Sequence, residues 1–249
     1  WSTKQLVRAI VTSATYRQSS VIRPELAELD PGNYLLARGP RYRRSAEMIR
    51  DNILAASGLL EYRIGGPSAF PYQPPGLWKE VMTHAFFPEY QEDPEGLYRR
   101  SIYTFWKRNM PPPSMLIFDA ASRAECQVRR QRSSTPLQAL VLLNDPQIVE
   151  GCRALAEQLM QESNSPREEL LSKAFRKLTS RHPTEKELQL LRSQWEEEVD
   201  YFQGHPQRAN EYLSIGYKPV EQNLPQTELA ALARVVNTIY NSTESYYKN

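Results

Sequence analysis

The sequence predicts a mainly α fold: an irregular helical domain with long, ordered loops rich in proline and aromatic residues, and with little or no sheet. Three observations carry this. Apolar residues recur at helical spacing along most of the chain. Thr135-Pro136, Asp145-Pro146 and Ser165-Pro166 each place a capping residue before a proline and an apolar-periodic run. The strand-turn-helix alternation of a parallel sheet is missing, as is any repeat of fixed period.

Taken in order, Ser2 to Arg17 spaces Leu6, Val7, Ile10, Val11 and Ala14 as an amphipathic helix, with Ser2 or Thr3 as cap. Pro24, Pro31 and Gly32 read as breaks, and Leu29-Asp30-Pro31-Gly32-Asn33 has turn chemistry. After Gly39-Pro40, the run Ser45 to Ser57 sets Ala46, Ile49, Ile53 and Ala56 on one face and stops at Gly58, a residue suited to a left-handed helix end. From 62 to 94, prolines and glycines are interleaved with Phe70, Tyr72, Trp78, Phe86, Phe87 and Tyr90, a pattern that reads as a packed loop. Gly96 to Arg108 is assigned as helix from Tyr98, Ile102, Phe105 and Trp106, although its β-formers leave a strand open. The triple proline 111 to 113 predicts an extended segment through Phe118-Asp119. Three helices then follow the three cap-proline pairs. Thr184 with Glu187 forms a capping box that opens a long helix through Leu188, Leu191, Trp195 and Val199 to Phe202. The last predicted helix runs from about Gln226 to Tyr240, and NSTESYYKN reads as a frayed end.

At 249 residues, with 40% hydrophobic and 24% charged composition, the chain is long enough for a substantial core and is read as one domain, 1–249. Mean hydropathy is −0.61 and no apolar run approaches the roughly 20 residues that cross a bilayer. The net charge of +2 hides an asymmetry: 1–135 hold 19 Lys+Arg against 13 Asp+Glu, and 136–249 hold 12 against 16. Arginine makes 16 of the 19 front-half cations, and guanidinium pairs directionally with carboxylate, sulfate or phosphate. The small net charge argues against nucleic acid. The chain opens at Trp1 within a helical pattern, without initiator Met or signal core, and is read as part of a longer protein.

Catalytic motifs are missing. The three histidines, His84, His182 and His205, have no metal-ligand spacing, and neither CxxC, CxxCH nor HExxH occurs, so no metal or cofactor is assigned to this chain. Neither GxSxG nor a phosphate loop occurs, and Gly65-Gly66-Pro67 reads as a turn. Cys126 and Cys152 are left open as a disulfide, which a core of this size does not need. The candidate acid-base carboxylates are Glu47, Asp51 and Asp119, each embedded among arginines that favour the ionised form. The candidate binding residues are Arg44, Arg50, Arg99, Arg100, Arg129, Arg130 and Trp78, drawn from three basic clusters near 38–51, 99–108 and 119–132. These clusters suit either an internal network that clamps loops to helices or a surface for an anion, such as a sulfated glycan, or for an acidic partner.

The stretches LDPGNYLLARGPRYRRSAEMIRDNILAASGLL, YRRSIYTFWKRNMPPP, FDAASRAECQVRRQRSSTPLQALVLLNDP and LTSRHPTEKEL resemble the planctomycete cytochrome-associated C-terminal domain, domain of unknown function 1553. Arg44, Glu47, Arg50, Asp51, Arg99, Arg100, Asp119, Arg129, Arg130, Thr135 and Gln138 stand at that family's recurrent polar positions. The resemblance implies an exported bacterial protein, periplasmic or at the cell surface, in which this domain follows c-type cytochrome or carbohydrate-binding modules, with any haem upstream. It carries over no catalytic residue, and it implies alanine where Cys152 stands, which weakens the disulfide. The expected function is a noncatalytic interaction or scaffold domain whose partner is an upstream domain of the same polypeptide or another exported protein. The alternative is a hydrolase, lyase or binding module for anionic polysaccharide, with an arginine-rich cleft and a carboxylate as acid-base group.

Overall fold

In a computed structural model, residues 1–73, 77, 95–108, 110–162 and 166–248 are described. Eleven α-helices and one pair of two-residue strands are found among them, a mainly α architecture. The chain forms two compact units, Trp1–Arg44 with Tyr246–Asn249, and Ser45–Ser245.

In the first unit, α1 (Thr3–Thr12) is capped by Ser2, whose hydroxyl accepts from the Gln5 amide at 3.3 Å. Its apolar residues Leu6, Val7, Ile10 and Val11 remain exposed. Pro24 does not break the chain but occupies the first turn of a short helix, α2 (Pro24–Leu29). The predicted turn is closed by Asp30, whose carboxylate accepts from the amides of Tyr34 and Leu35 at 2.8 and 2.7 Å. β1 (Tyr42–Arg43) pairs antiparallel with β2 (Tyr247–Lys248), Tyr42 opposite Lys248. The C-terminal segment therefore does not fray: α11 (Thr243–Tyr246) leads directly into that strand.

The second unit is built around α10 (Gln226–Asn241), which is buried on nearly every side from Leu229 to Tyr240. It packs against α5 (Pro136–Asn144), α6 (Pro146–Glu162), α7 (Arg167–Thr179), α8 (Glu185–Gly204) and α9 (Pro206–Leu213). Each of the three cap-proline signals gives a helix. Thr135 and Gln138 form a capping box on α5, Asp145 accepts from the Gln147 amide at 3.0 Å at the start of α6, and α7 begins one residue after Pro166. α3 (Ala46–Ala56) runs as predicted, with Ser45 as cap and Gly58 at φ 73°. It approaches α6 so closely at Gly151 that a Cβ there would lie 2.7 Å from Ile53 Cγ1.

Two assignments are corrected. Residues 96–108 are not a helix but two 3-10 turns, Glu95–Tyr98 and Ser101–Tyr103, with parallel bridges pairing Arg99 to Glu61 and Thr104 to Ala69. Their apolar side chains serve different neighbours: Phe105 stacks on Phe70 at 4.9 Å and Ile102 is 74% exposed. Likewise the triple proline starts a helix instead of an extended segment, with Pro113 in the first turn of α4 (Pro113–Ile117). The packed-loop expectation over 62–94 holds from Ala69 to Gln73, which are buried or half-buried, whereas Tyr62 to Ser68 are exposed. Trp78, His84, Phe86, Phe87 and Tyr90 lie outside the described residues.

Two stability predictions follow from these contacts. Gly216 has φ 104° and a Cβ there would meet Glu150 carbons at 2.6 to 2.7 Å, so Gly216→Ala combines backbone strain with a clash. We expect it to destabilise the fold by about 3 kcal/mol or more in urea unfolding. At the start of α8, hydrogen bonding from Arg181 holds the Glu187 carboxyl at about 2, against the opposing effect of burial and with help from Thr184. A carboxyl with a lowered folded pKa stabilises above its unfolded value of 4.5, and that contribution fades as pH falls toward about 2. An NMR titration should find Glu187 ionised at pH 3, with the urea midpoint of wild type declining more steeply than that of Glu187→Gln over that window.

Candidate functional site

The front-half arginines divide into an interior set and an exposed set. Arg50, on the inner face of α3, is buried; its guanidinium lies 3.5 Å from Asp51 and donates its hydrogen bonds to uncharged acceptors. Nη1 donates to the Arg99 carbonyl at 2.8 Å and to Ser101 Oγ at 3.0 Å, Nη2 donates to the Leu97 carbonyl, and Nε donates to the Gln147 side chain. Burial pulls its pKa down to about 10, with Asp51 and Asp145 working the other way, so it stays charged at neutral pH. Arg99, 1% exposed, turns toward the opposite loop and donates to the carbonyls of Pro67, Gly65 and Arg63 while covering the Tyr103 ring at 4.0 Å. Arg100 is exposed. Arg44 belongs to the first unit, where its amide donates to the Tyr246 carbonyl at 2.8 Å.

The candidate carboxylates hold structure in place. Asp51 Oδ1 accepts from the amide and hydroxyl of Ser101 at 2.8 and 2.6 Å and lies 3.5 Å from Arg50. Asp119, at φ 57°, accepts from the amide and hydroxyl of Ser133 at 2.7 and 2.8 Å, closing the loop between them. Glu47 takes Arg130 through both oxygens at 2.9 and 2.8 Å. Burial works to raise the Glu47 pKa, but its own backbone amide and Arg130 outweigh burial and hold it below the ordinary carboxylate value. That is the reverse of what a general acid requires.

The hollow beside Arg50, bordered by Tyr72, Ser114, Phe118, Asp145 and Gln147, measures about 30 Å³, room for a water and not for a sugar ring. Four of the exposed arginines, Arg123, Arg129, Arg130 and Arg132, occupy the loop 122–134, where Glu125 is the one acidic residue. Beside it, Asp119, Arg129, Gln131, Leu116 and Val128 line an open hollow of about 510 Å³.

A buried cluster that sequence reasoning missed lies on α6. Glu150, fully buried, accepts from the phenols of Tyr98 and Tyr72 at 2.9 and 3.2 Å and from the amides of Tyr217 and Lys218, both at 2.6 Å. Arg153 bridges Glu157 at 2.8 Å and the Lys218 carbonyl at 2.6 Å, and Lys218 Nζ closes the ring on Glu157 at 3.0 Å. Burial first, and Glu150 second, raise both phenol pKa values, which keeps Tyr72 and Tyr98 as donors. The signal was there as Glu150, Arg153 and Glu157 at i, i+3 and i+7, a spacing that reads equally well as a solvated face. The two cysteines are free thiols, Cys126 exposed and Cys152 buried with its pKa pushed up to about 12 by burial. Among the described residues no group of His, Cys, Asp and Glu is placed to hold a metal ion, and no helix is long and apolar enough to cross a membrane.

A family model described as PSD1, protein of unknown function (DUF1553), matches residues 1–195. The chain belongs to the DUF1553 family. The match spans α1 through the first half of α8 and so contains both arginine sets, the three carboxylates and the α6 members Glu150, Arg153 and Glu157, but not Tyr217 or Lys218. No curated protein and no solved structure matches this DUF1553 chain.

The Arg50 network carries a direct prediction. Replacing Arg50 by Met leaves the Leu97 and Arg99 carbonyls, the Gln147 side chain and Asp51 without their cation, at a cost of about 3–5 kcal/mol. Urea unfolding of Arg50→Met should show that loss, whereas Arg100→Met, at an exposed site, should stay within about 0.5 kcal/mol of wild type.

Proposed function

We propose that this chain is a noncatalytic interaction domain of an exported bacterial protein, acting at the periplasmic or outer cell surface. It docks an acidic partner through the arginine loop 122–134. The partner in this reading is an upstream domain of the same polypeptide or another exported protein, one that carries c-type cytochrome or glycan-processing modules, with haem confined to those modules. The observation that carries the reading is the division of labour among the arginines. Arg50 and Arg99 are spent on loop carbonyls and Arg130 on Glu47, while Arg123, Arg129 and Arg132 stand exposed on the same loop as Arg130, whose one acidic residue is Glu125. Exposed guanidinium groups steer and orient acidic partners.

A second reading, a hydrolase or lyase for anionic polysaccharide, draws on one feature: Asp119 and Arg129 line the same 510 Å³ hollow. Against it, Asp119 is already held by two hydrogen bonds from Ser133.

Titration calorimetry with poly-L-glutamate tests the docking surface. Wild type should bind with an affinity that weakens as salt rises, and Arg129→Glu with Arg132→Glu should weaken it at least about tenfold, roughly 1.4 kcal/mol. Binding that ignores the double reversal would remove the reading. Release of new chain ends from a sulfated or uronate polysaccharide, abolished by Asp119→Asn, would put the enzyme reading in its place.

A further inference from the structure

α5 presents its residues inside out. Its sequence PLQALVLLN is apolar on all sides, yet it buries the polar Gln138 along with Leu142, and leaves Leu137, Leu140 and Leu143 at 51%, 55% and 42% exposure. The orientation is fixed by Gln138, whose Nε2 donates to the Ile117 carbonyl at 2.8 Å and to Ser133 Oγ at 3.0 Å. With that amide locked inward, the leucines at i, i+3 and i+6 form a stripe facing out. The stripe has apolar company: Leu116 on the adjoining α4 is 41% exposed, Val128 is fully exposed, and both border the 510 Å³ hollow with Arg129. Exposed apolar side chains next to an arginine-bearing loop are the anatomy of a protein interface.

We propose that the leucine face of α5 and the hollow beside Leu116 seat an acidic amphipathic helix of a partner protein. Its apolar side chains pack on Leu137, Leu140 and Leu143, and its flanking carboxylates pair with Arg129 and Arg132. The proposal rests on the docking reading above and names the chemistry of the partner. Charge complementarity selects the occupant, since the loop beside the stripe carries Arg123, Arg129 and Arg132, besides the Glu47-bound Arg130, against Glu125 as its one acidic residue. The concavity beside the stripe, with Asp119 in its wall, favours a convex helix over a flat anionic lipid surface.

The probe is a synthetic helix of about five turns with leucine at every third or fourth position and glutamate elsewhere. It is compared with its lysine-for-glutamate counterpart, with phosphatidylglycerol vesicles and with poly-L-glutamate, all against the full chain. The acidic helix should bind, protect the amides of 116–143 from hydrogen exchange, and lose at least about tenfold in affinity in Leu137→Ser/Leu140→Ser. The lysine counterpart should bind at least about tenfold more weakly than the acidic helix. Because these leucines are exposed, the variant should keep its unfolding temperature, and Leu143→Glu alone provides a second, independent lesion. An acidic helix that fails to bind, or binds the leucine variants as well as wild type, overturns the proposal, as does vesicle binding that depends on the same leucines. If poly-L-glutamate still binds through the arginines in that event, the docking reading stands without this one. If poly-L-glutamate also fails, both fall.

Discussion

The described backbone between Leu59 and Thr104 has almost no regular ladder, and its buried carbonyls need donors from elsewhere. Two guanidinium groups supply them. Arg50 reaches out from a regular helix and gathers Leu97, Arg99 and Ser101, while Arg99 reaches back across to Arg63, Gly65 and Pro67. Five fixed donors on one planar group are what make arginine, and not lysine, suited to this work. The Arg99 carbonyl accepts from Arg50 while its side chain holds the next loop, so the two are links of one chain of contacts. Gln147 joins it to α6, donating to the Leu97 carbonyl at 2.8 Å and accepting from Arg50.

The same solution recurs with the charges reversed one turn further along α6. The segment 216–221 also lacks regular structure, and here a buried carboxylate satisfies its amides, with Arg153 taking its carbonyls. Glu150 further ties Tyr98, next to the Arg99 network, into this cluster. α6 is therefore the beam between two irregular loops, and its burial along nearly its whole length from Gln147 to Leu159 reflects that position. Charged groups buried in this way are retained only where each has its partners, because an unpaired one costs several kcal/mol. The glycines at the closest approaches, Gly151 against Ile53 and Gly216 against Glu150, are spatial requirements of the same arrangement.

Most helices were legible because their signals are local. Cap and proline at 135–136 and 145–146, the Thr184–Glu187 box, and the apolar period of 226–240 lie within a few residues of one another. Pro24 and Pro113 obey the same first-turn rule, but short helices leave too little apolar period to separate a start from a break. The 96–108 segment failed for a different reason: its helical period is fortuitous, and its backbone is claimed by bridges to Glu61 and Ala69. Pairing of Tyr247–Lys248 with Tyr42–Arg43 joins segments about 200 residues apart, beyond any local pattern. At the site, the sequence groups the arginines into three clusters by position alone. It could not say which face inward, because burial of Arg50 and Arg99 is decided by the carbonyls around them and leaves no mark on their own neighbours in sequence.

This sorting of interior from exterior arginine bears on chemistry as well as stability. A carboxylate that must exchange a proton with substrate needs a lone pair free and a pKa near the working pH. Glu47 and Asp51 have instead been drawn into fixed hydrogen bonds with Arg130 and Ser101, and Glu47 is biased toward permanent ionisation. The Glu47–Arg130 pair does a second thing: it fastens one point of the arginine loop to α3, while Asp119 and Gln138 fasten another through Ser133. A loop pinned at both places presents its remaining guanidinium groups in a limited set of positions, which lowers the entropy lost when a partner binds. The ties at Gln138 also turn the leucines of α5 outward, so the polar contacts that order the loop and the apolar surface beside it have a common origin.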